Sequence, residues 1–217
     1  MLETQLLKKD LFGEVRRTDQ VAGPLIVRDT APARPWLRWL ARWLLRREAA
    51  ALAALGGVPG VPVLVAVGRS RLERSYLDGL PLYHAKPEDA GYYRKALRLL
   101  RQLHARNVAH NDLAKEPNIL VTGSGAPAFV DFQLAWHAPR RGLVFRLLAY
   151  DDLRHLLKHK RTYCAGALTQ RQLDILARPS LPSRLWRKTV KPPYLFVTRG
   201  LLGWADREGA ADRGEQR

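Results

Sequence analysis

The stretch that decides the fold is H-N-D-L-A-K-E-P-N-I-L-V, residues 110–121, followed by A-F-V-D-F, residues 128–132. The apolar triplet 119–121 predicts a strand, and residues 128–130 predict a second one. Gly, Ser and Pro residues within the intervening segment 122–127 favour a tight turn. The two strands are therefore predicted to form a hairpin.

This hairpin is predicted to bring three oxygen-bearing side chains to one end. Asp112 and Asn118 precede its first strand, and Asp131 follows its second. Two carboxylates and one amide suit a hard cation such as Mg²⁺ and can receive a proton from a hydroxyl. The alternative is an ordinary hairpin with a solvated Asp and Asn at its turn.

The motifs H-N-D-L-A-K-E-P-N and D-F-Q resemble those of the protein-kinase-like superfamily, in which H-R-D-L-x-x-x-N is followed, after a hairpin, by D-F-G. Asn111 stands where the family has Arg, which indicates that activation-loop control is lost. The spacing from Asp112 to Asn118 is one residue longer, and Gln133 replaces the Gly. Small bacterial atypical kinases, including RIO-type kinases and the heptose and Kdo kinases of the lipopolysaccharide core, depart in similar ways.

The resemblance implies an α+β, two-lobed fold. Residues 1–77 would form a small β-rich N-lobe with one helix, and residues 78–217 a mainly helical C-lobe with the catalytic hairpin and a basic tail. A long activation segment is not expected, because Arg140-Arg141-Gly142 leads directly into a helix predicted over Leu143 to Lys160. A further helix is predicted around Thr169 to Ala177.

The resemblance also implies roles for four residues in phosphoryl transfer from ATP. Asp112 would accept the proton of the acceptor hydroxyl, and Lys115 would lie beside the γ-phosphate. Asn118 and Asp131 would hold Mg²⁺. Asp151 and Asp152, within the predicted helix, resemble the aspartate that braces the catalytic loop, with plain solvated acids as the alternative.

Nucleotide binding is expected to involve a cation on an N-terminal strand. No Lys occurs between Lys9 and Lys86, so Arg28, at the end of the strand predicted over 24–28, stands in for the family's Lys. Glu48 resembles the helix glutamate that pairs with this cation. Backbone groups from Glu73 to Leu77 would meet adenine at the hinge.

Residues 35–55 are predicted to form a helix that begins at Pro35. One side carries Trp and Leu residues at helical spacing, with Arg residues beside it: Trp36, Trp39, Leu40, Trp43 and Leu44. A core helix packed on the N-lobe sheet is one explanation, and a helix at a membrane interface is the other. The uncharged run from Ala49 to Gly68 is broken by Gly and Pro, which favours a helix end, a turn and a strand over a membrane span.

The charge composition indicates which kinds of partner the protein could bind. The net charge is +17, and from Arg154 to Arg199 there are eleven Lys or Arg against one acid, Asp174. This excess predicts either attraction to phosphate-rich partners or a solvated basic face. The single cysteine, Cys164, and charges near the N-terminus instead of a secretion signal predict a cytoplasmic protein, with possible sites of peripheral contact with the inner membrane in the Trp-rich helix and the aromatic, basic segment Pro182 to Asp206.

Three functions are compatible with these features. The first is an ATP- and Mg²⁺-dependent kinase whose acceptor is a protein Ser/Thr or a sugar of lipopolysaccharide. The second is a pseudokinase that binds or scaffolds, which Arg28 and Gln133 favour. The third is a charge-driven nucleic-acid-binding protein, for which no motif is recognised.

Overall fold

The computed structural model describes residues 4–21 and 23–178 of the chain, so the predicted tail, Pro182 to Asp206, lies outside the described residues. The strands are β1 (Thr4–Asp10), β2 (Gly13–Gln20), β3 (Gly23–Asp29), β4 (Leu64–Val67), β5 (Arg71–Ser75), β6 (Leu80–Pro81), β7 (Val108–Ala109), β8 (Ile119–Val121), β9 (Pro127–Phe129) and β10 (Trp136–His137). The α-helices are α1 (Arg38–Ala54), α2 (Leu82–Ala85), α3 (Ala90–Ala105), α4 (Leu143–Tyr163) and α5 (Gln170–Ala177). The predicted α+β class is confirmed.

The N-terminal strands form a five-stranded sheet of order β1-β2-β3-β5-β4, in which every neighbouring pair is antiparallel. Helix α1 connects β3 to β4 and packs on the sheet, because Leu45 and Ala49 form a buried cluster with Leu72 of β5. Pairing of β3 with β5 places Arg28 opposite Leu72 and Ile26 opposite Arg74. The sheet therefore holds Arg28 and Arg74 close to the helix that carries Glu48.

Gly13, which follows the turn between β1 and β2, is explained by packing. Its φ is +130°, and a Cβ atom there would lie 2.1 Å from the carbonyl oxygen of Asp29. Any side chain would therefore collide with the end of β3. The close approach of β3 therefore accounts for a glycine at this position.

The main core lies under the hairpin of β8 and β9. Helix α3 begins at Asp89, whose carboxylate caps the N–H groups of Gly91 and Tyr92, and it buries Tyr93, Leu100 and Leu103 as its inner stripe. These side chains share one cluster with residues of β8, β9, α4 and the end of α1. Helix α1 thus contacts both the sheet and the main core.

Helix α1 packs on the sheet, as the core-helix interpretation predicted, but its tryptophans do not take part in that packing. Trp36, Trp39 and Trp43 are exposed, and the helix instead buries its other side, formed by Ala41, Leu45, Glu48, Ala49, Ala51 and Leu52. The small side chains let the helix approach the sheet closely. The run from Ala49 to Gly68 forms the end of α1, a turn and β4, as predicted. Within the described residues, no helix is long and apolar enough to cross a membrane.

Candidate functional site

The loop before β8 brings Asp112 and Asn118 into direct contact. Asn118 Nδ2 donates to Asp112 Oδ2 at 2.9 Å and to its backbone carbonyl at 3.0 Å. The longer spacing between them contains a 3-10 turn over Glu116–Asn118, and Asn118 still reaches Asp112. Lys115 Nζ lies 3.4 Å from Asp112 Oδ2. The loop therefore presents one acid, one amide and one cation together.

Asp152 of α4 braces this loop through its backbone. The two carboxylate oxygens of Asp152 accept the N–H groups of His110 and Asn111, each at 2.7 Å. Asp152 is 1% exposed, whereas Asp151 is only half-buried. Because Asn111 adopts a left-handed conformation with φ of 61°, this double acceptor stabilises an uncommon backbone shape. Of the two predicted candidates, Asp152 is the residue that contacts the loop.

Two histidines complete the support of the loop. His110 Nε2 donates to the carbonyl of Val130 at 2.9 Å, and His159 Nε2 donates to the carbonyl of Leu113 at 2.8 Å. A carbonyl can only accept a hydrogen bond, so both ring nitrogens carry a proton. These contacts join the loop to the residue before Asp131 and to α4. His110 therefore has a structural role here.

Asp131 follows β9 and also has a left-handed conformation, with φ of 61°. Its side chain is about one-third exposed, and Arg28 Nη2 lies 3.7 Å from its Oδ1. The Oδ1 atom is itself buried, and within the described residues it has no hydrogen-bond partner. A buried carboxylate oxygen without a hydrogen bond is costly unless a cation lies against it. This atom is therefore suited to a positively charged ligand.

Glu48 holds two arginines on the sheet side of the site. Its Oε2 lies 3.1 Å from Arg28 Nε and its Oε1 lies 3.1 Å from Arg74 Nε. The Glu48 side chain is fully buried, and those of Arg28 and Arg74 are 12% and 9% exposed. The predicted pair of Arg28 and Glu48 is present in the structure as a direct ion pair.

Arg74 is the residue that sequence reasoning missed. It lies two positions after the buried Leu72 in β5, so the alternation of side chains along a strand puts both on the same face of the sheet. That alternation is the signal that could have identified it.

The charges around the two aspartates move their pKa values in opposite directions. Burial raises the pKa of Asp112, and the negative charge of Asp131 adds to this, while Lys115 and His110 oppose it. Burial also tends to raise the pKa of Asp131, but the positive charges of Arg28 and Arg74 outweigh it and hold that pKa below its usual value. Asp131 is thus kept ionised, while Asp112 becomes a stronger proton acceptor.

The stretch predicted to contact adenine, Glu73 to Leu77, lies partly in β5 and partly beyond its end at Ser75. Glu73 pairs with Val27 on one side and Ala66 on the other, in the interior of the sheet, and its side chain forms an ion pair with Arg71 at 2.9 Å. This placement argues against Glu73 as a nucleotide contact, because its backbone belongs to the ladder. Leu77 lies beyond the strand and is half-buried.

The donor set is suited to a Mg²⁺ ion that shares its coordination with phosphate. Within residues 4–21 and 23–178, no group of three or more His, Cys, Asp or Glu side chains could hold a metal by itself. Mg²⁺ usually takes only one or two carboxylates and completes its shell with water and phosphate oxygens. The buried Oδ1 of Asp131 and the amide oxygen of Asn118 fit that requirement.

Comparison of the chain with protein-family models and with curated proteins gives no match.

Part of the basic excess near the C-terminus has a structural explanation. Arg154 is 8% exposed and donates to the carbonyls of Leu176 and Arg178. Lys160 is 4% exposed and donates to Ala167 and Gln172. These two cations fasten α5 and the turn before it to α4, so they are not part of a phosphate-binding surface.

Proposed function

We propose that this protein is an atypical kinase that transfers the γ-phosphate of ATP to a hydroxyl group. The observation that carries the proposal is the contact of Arg28 with both Glu48 and Asp131. In that arrangement a cation held by a buried glutamate lies against an acid suited to a metal. The hydrogen-bonded pair of Asp112 and Asn118 supplies the second half of the site.

The polyphosphate of ATP would bind on the sheet side of the cluster. Glu48 forms an ion pair with Arg28 on the Nε side, so the remaining nitrogens of the planar guanidinium would be available for phosphate oxygens. Arg74 shares the same glutamate and adds a second positive charge. Asn118 and Asp131 would hold Mg²⁺, which when bound offsets the negative charge of the phosphates. Leu77 is the proposed contact for adenine at the end of β5.

Asp112 would act as the proton acceptor in the transfer. The acceptor oxygen forms a new bond to the γ-phosphorus, and the bond from that phosphorus to the bridging oxygen of ADP breaks. The hydroxyl proton passes to the Asp112 carboxylate, whose raised pKa favours this step. Lys115, 3.4 Å from Asp112 Oδ2, is positioned to offset charge on the transferred group.

We propose that the fold is divided into two lobes, as in protein kinases. The five-stranded sheet with α1 would be the N-lobe, residues 1–77, and the part of the chain from residue 78 would be the C-lobe. The support for this division is that the proposed phosphate-binding residues come from β3, β5 and α1, and the proposed metal and proton residues from the hairpin of β8 and β9. Residues 132–142 join Asp131 to α4.

Incubation of the full chain with γ-labelled ATP and Mg²⁺ tests this function. A protein rich in Ser and Thr and a lipopolysaccharide core oligosaccharide serve as acceptors, and Asp112→Ala is the matched inactive control. Label on the protein or on the sugar that disappears with Asp112→Ala supports the proposal and identifies the acceptor class. Transfer that is unchanged in Asp112→Ala contradicts it.

A binding module is the second candidate, and the arginine in place of the family's lysine is the observation that favours it. The guanidinium of Arg28 already contacts two acids, so it is less free to follow the γ-phosphate during transfer. A rise in melting temperature with ATP and Mg²⁺, without any labelled acceptor, identifies this case. Salt-sensitive binding to nucleic acid without an ATP effect identifies the charge-driven alternative.

A further inference from the structure

An unusual surface lies on the outer side of α1 and the short 3-10 turn before it. The side chains of Trp36, Trp39 and Trp43 are 56%, 70% and 46% exposed. Their spacing of three and four residues places them on one side of the helix. Exposed indoles in a row are uncommon on a soluble surface, since each leaves a large apolar area in water.

A second segment of the chain extends this surface. Trp136 and Leu134, 39% and 38% exposed, lie beside α1. The Arg47 guanidinium lies over the Trp43 ring at 4.6 Å and over the Trp136 ring at 5.4 Å. Arg47 also donates to the carbonyls of Leu134 and Ala135 at 3.0 and 2.9 Å. We call the set Trp36, Trp39, Trp43, Leu134 and Trp136, with the neighbouring arginines of α1, the Trp–Arg face.

The charge of the Trp–Arg face is entirely positive. Residues 30–47 contain no Asp or Glu, and neither do residues 132–150. The single acid of α1, Glu48, is fully buried on the opposite side and is committed to two arginines. Arg34 and Arg46 are exposed, and Arg38 and Arg42 are half-buried beside the tryptophans.

We propose that the Trp–Arg face docks the protein on the surface of an anionic lipid bilayer. Indole rings favour the headgroup region, where the ring leaves water and its N–H keeps a polar partner. The arginines would meet the lipid phosphates, and residues 30–47 and 132–150 contribute no acid that would repel them. The chain's net charge of +17 acts in the same direction.

The shape of the face favours a bilayer over a nucleic acid. The indoles project from the outside of a helix, which is convex and can enter a lipid interface along its length. Single-stranded nucleic acid is bound in a groove that follows the phosphate backbone, and the outside of a helix is not a groove. This inference is independent of the proposed phosphotransfer, because its residues do not include those of the candidate site.

Sedimentation with vesicles tests the docking on the full chain. The probes are vesicles of phosphatidylcholine alone and vesicles that also contain about one-third phosphatidylglycerol, at low and high salt. Trp36→Ser/Trp39→Ser removes the two most exposed indoles and leaves the Trp43–Arg47 contact in place. Leu6→Ser/Leu7→Ser on β1 is its control, since these side chains are also exposed. Arg34→Glu/Arg46→Glu reverses two charges, and Arg98→Glu/Arg101→Glu on α3 is the control with the same net charge.

We expect binding to anionic vesicles to fall by about tenfold or more in both face variants, and by less than about twofold in both controls. Indole fluorescence should shift to the blue when anionic vesicles are added to the wild type, and this shift should be smaller in Trp36→Ser/Trp39→Ser. Equal binding to neutral and anionic vesicles overturns the proposal. Equal losses in face and control variants also overturn it, as does binding to single-stranded nucleic acid that depends on the same tryptophans while vesicles are not bound.

Discussion

Arg28 Nη2 lies 3.7 Å from Asp131 Oδ1, so a residue at the end of β3 contacts the residue that follows β9. The same arginine is held by Glu48 through its Nε atom. A cation in this position keeps the Asp131 carboxylate ionised without a hydrogen bond to Oδ1. Arg28 therefore connects the sheet to the hairpin.

Glu48→Gln should destabilise the protein strongly. The change keeps the volume but leaves Arg28 and Arg74 buried with neither charge balanced by Glu48, so we expect the free energy of unfolding to fall by about 3 kcal/mol. Urea unfolding measures it. Glu73→Gln is the control, because its pair with Arg71 is more exposed and should contribute less than about 1 kcal/mol. Equal losses of unfolding free energy in the two variants would show that the buried Glu48 pairs contribute no more to stability than the more exposed Glu73 pair.

Asp112→Ala should abolish phosphoryl transfer and leave ATP binding largely intact. Loss of a general base lowers the rate by about 100-fold or more, while the residues proposed to bind ATP remain. Labelled transfer and the ATP-dependent shift of the melting temperature give the two readings. Asp174→Ala, on the outer part of α5, should change neither. An active Asp112→Ala protein would show that another group takes the proton.

The pH dependence of the phosphoryl-transfer rate should follow the ionisation of Asp112. Only its ionised form accepts a proton, so the rate should fall as the pH decreases through a pKa above the ordinary 3.8. Lys115→Met removes a positive charge that favours the ionised form, so this acidic limb should move to higher pH by about one unit. Lys95→Met, on the exposed side of α3, should leave it in place. If the acidic limb of the pH–rate profile stayed in place in Lys115→Met, Asp112 would be excluded as the titrating group.

Asp152→Ala should loosen the loop before β8. Two backbone N–H groups lose a charged acceptor, so the expected loss of unfolding free energy is about 3 kcal/mol. Hydrogen exchange at His110 and Asn111 should increase with it. The neighbouring Asp151→Ala should cost less than about 1 kcal/mol. Similar losses from both substitutions would mean that the bracing bonds contribute little.

Arg47→Met should weaken the contact of α1 with the segment after Asp131. Three hydrogen bonds to carbonyls and two ring contacts are lost, which we expect to lower the free energy of unfolding by about 2 kcal/mol. The adjacent Arg46→Met, whose side chain is exposed, should change it by less than about 0.5 kcal/mol. Denaturant unfolding of the two variants decides whether Arg47 acts as this clamp.

Local patterns predicted most of the elements that carry the site. The hairpin of β8 and β9 followed from two apolar triplets around a Gly- and Pro-rich turn, and α4 begins at Leu143, where the sequence predicted a helix. Such patterns depend on the backbone preferences and turn residues of a few neighbouring positions, so they can be recognised in a single sequence. The pairing of Arg28 with Glu48 came from the resemblance to kinases and not from periodicity.

The sequence by itself predicted helices α1 and α4, the hairpin of β8 and β9, and the approach of Asn118 to Asp112 at one end of that hairpin. Only the tertiary structure decided which polar groups are buried: that Arg74 shares Glu48, that Asp152 and not Asp151 braces the loop, and that the tryptophans of α1 face outward. The physical reason is that each outcome depends on which surface of an element packs against a distant part of the chain. That choice is set by small residues such as Ala41 and Ala49, which allow close packing, and not by hydrophobicity alone.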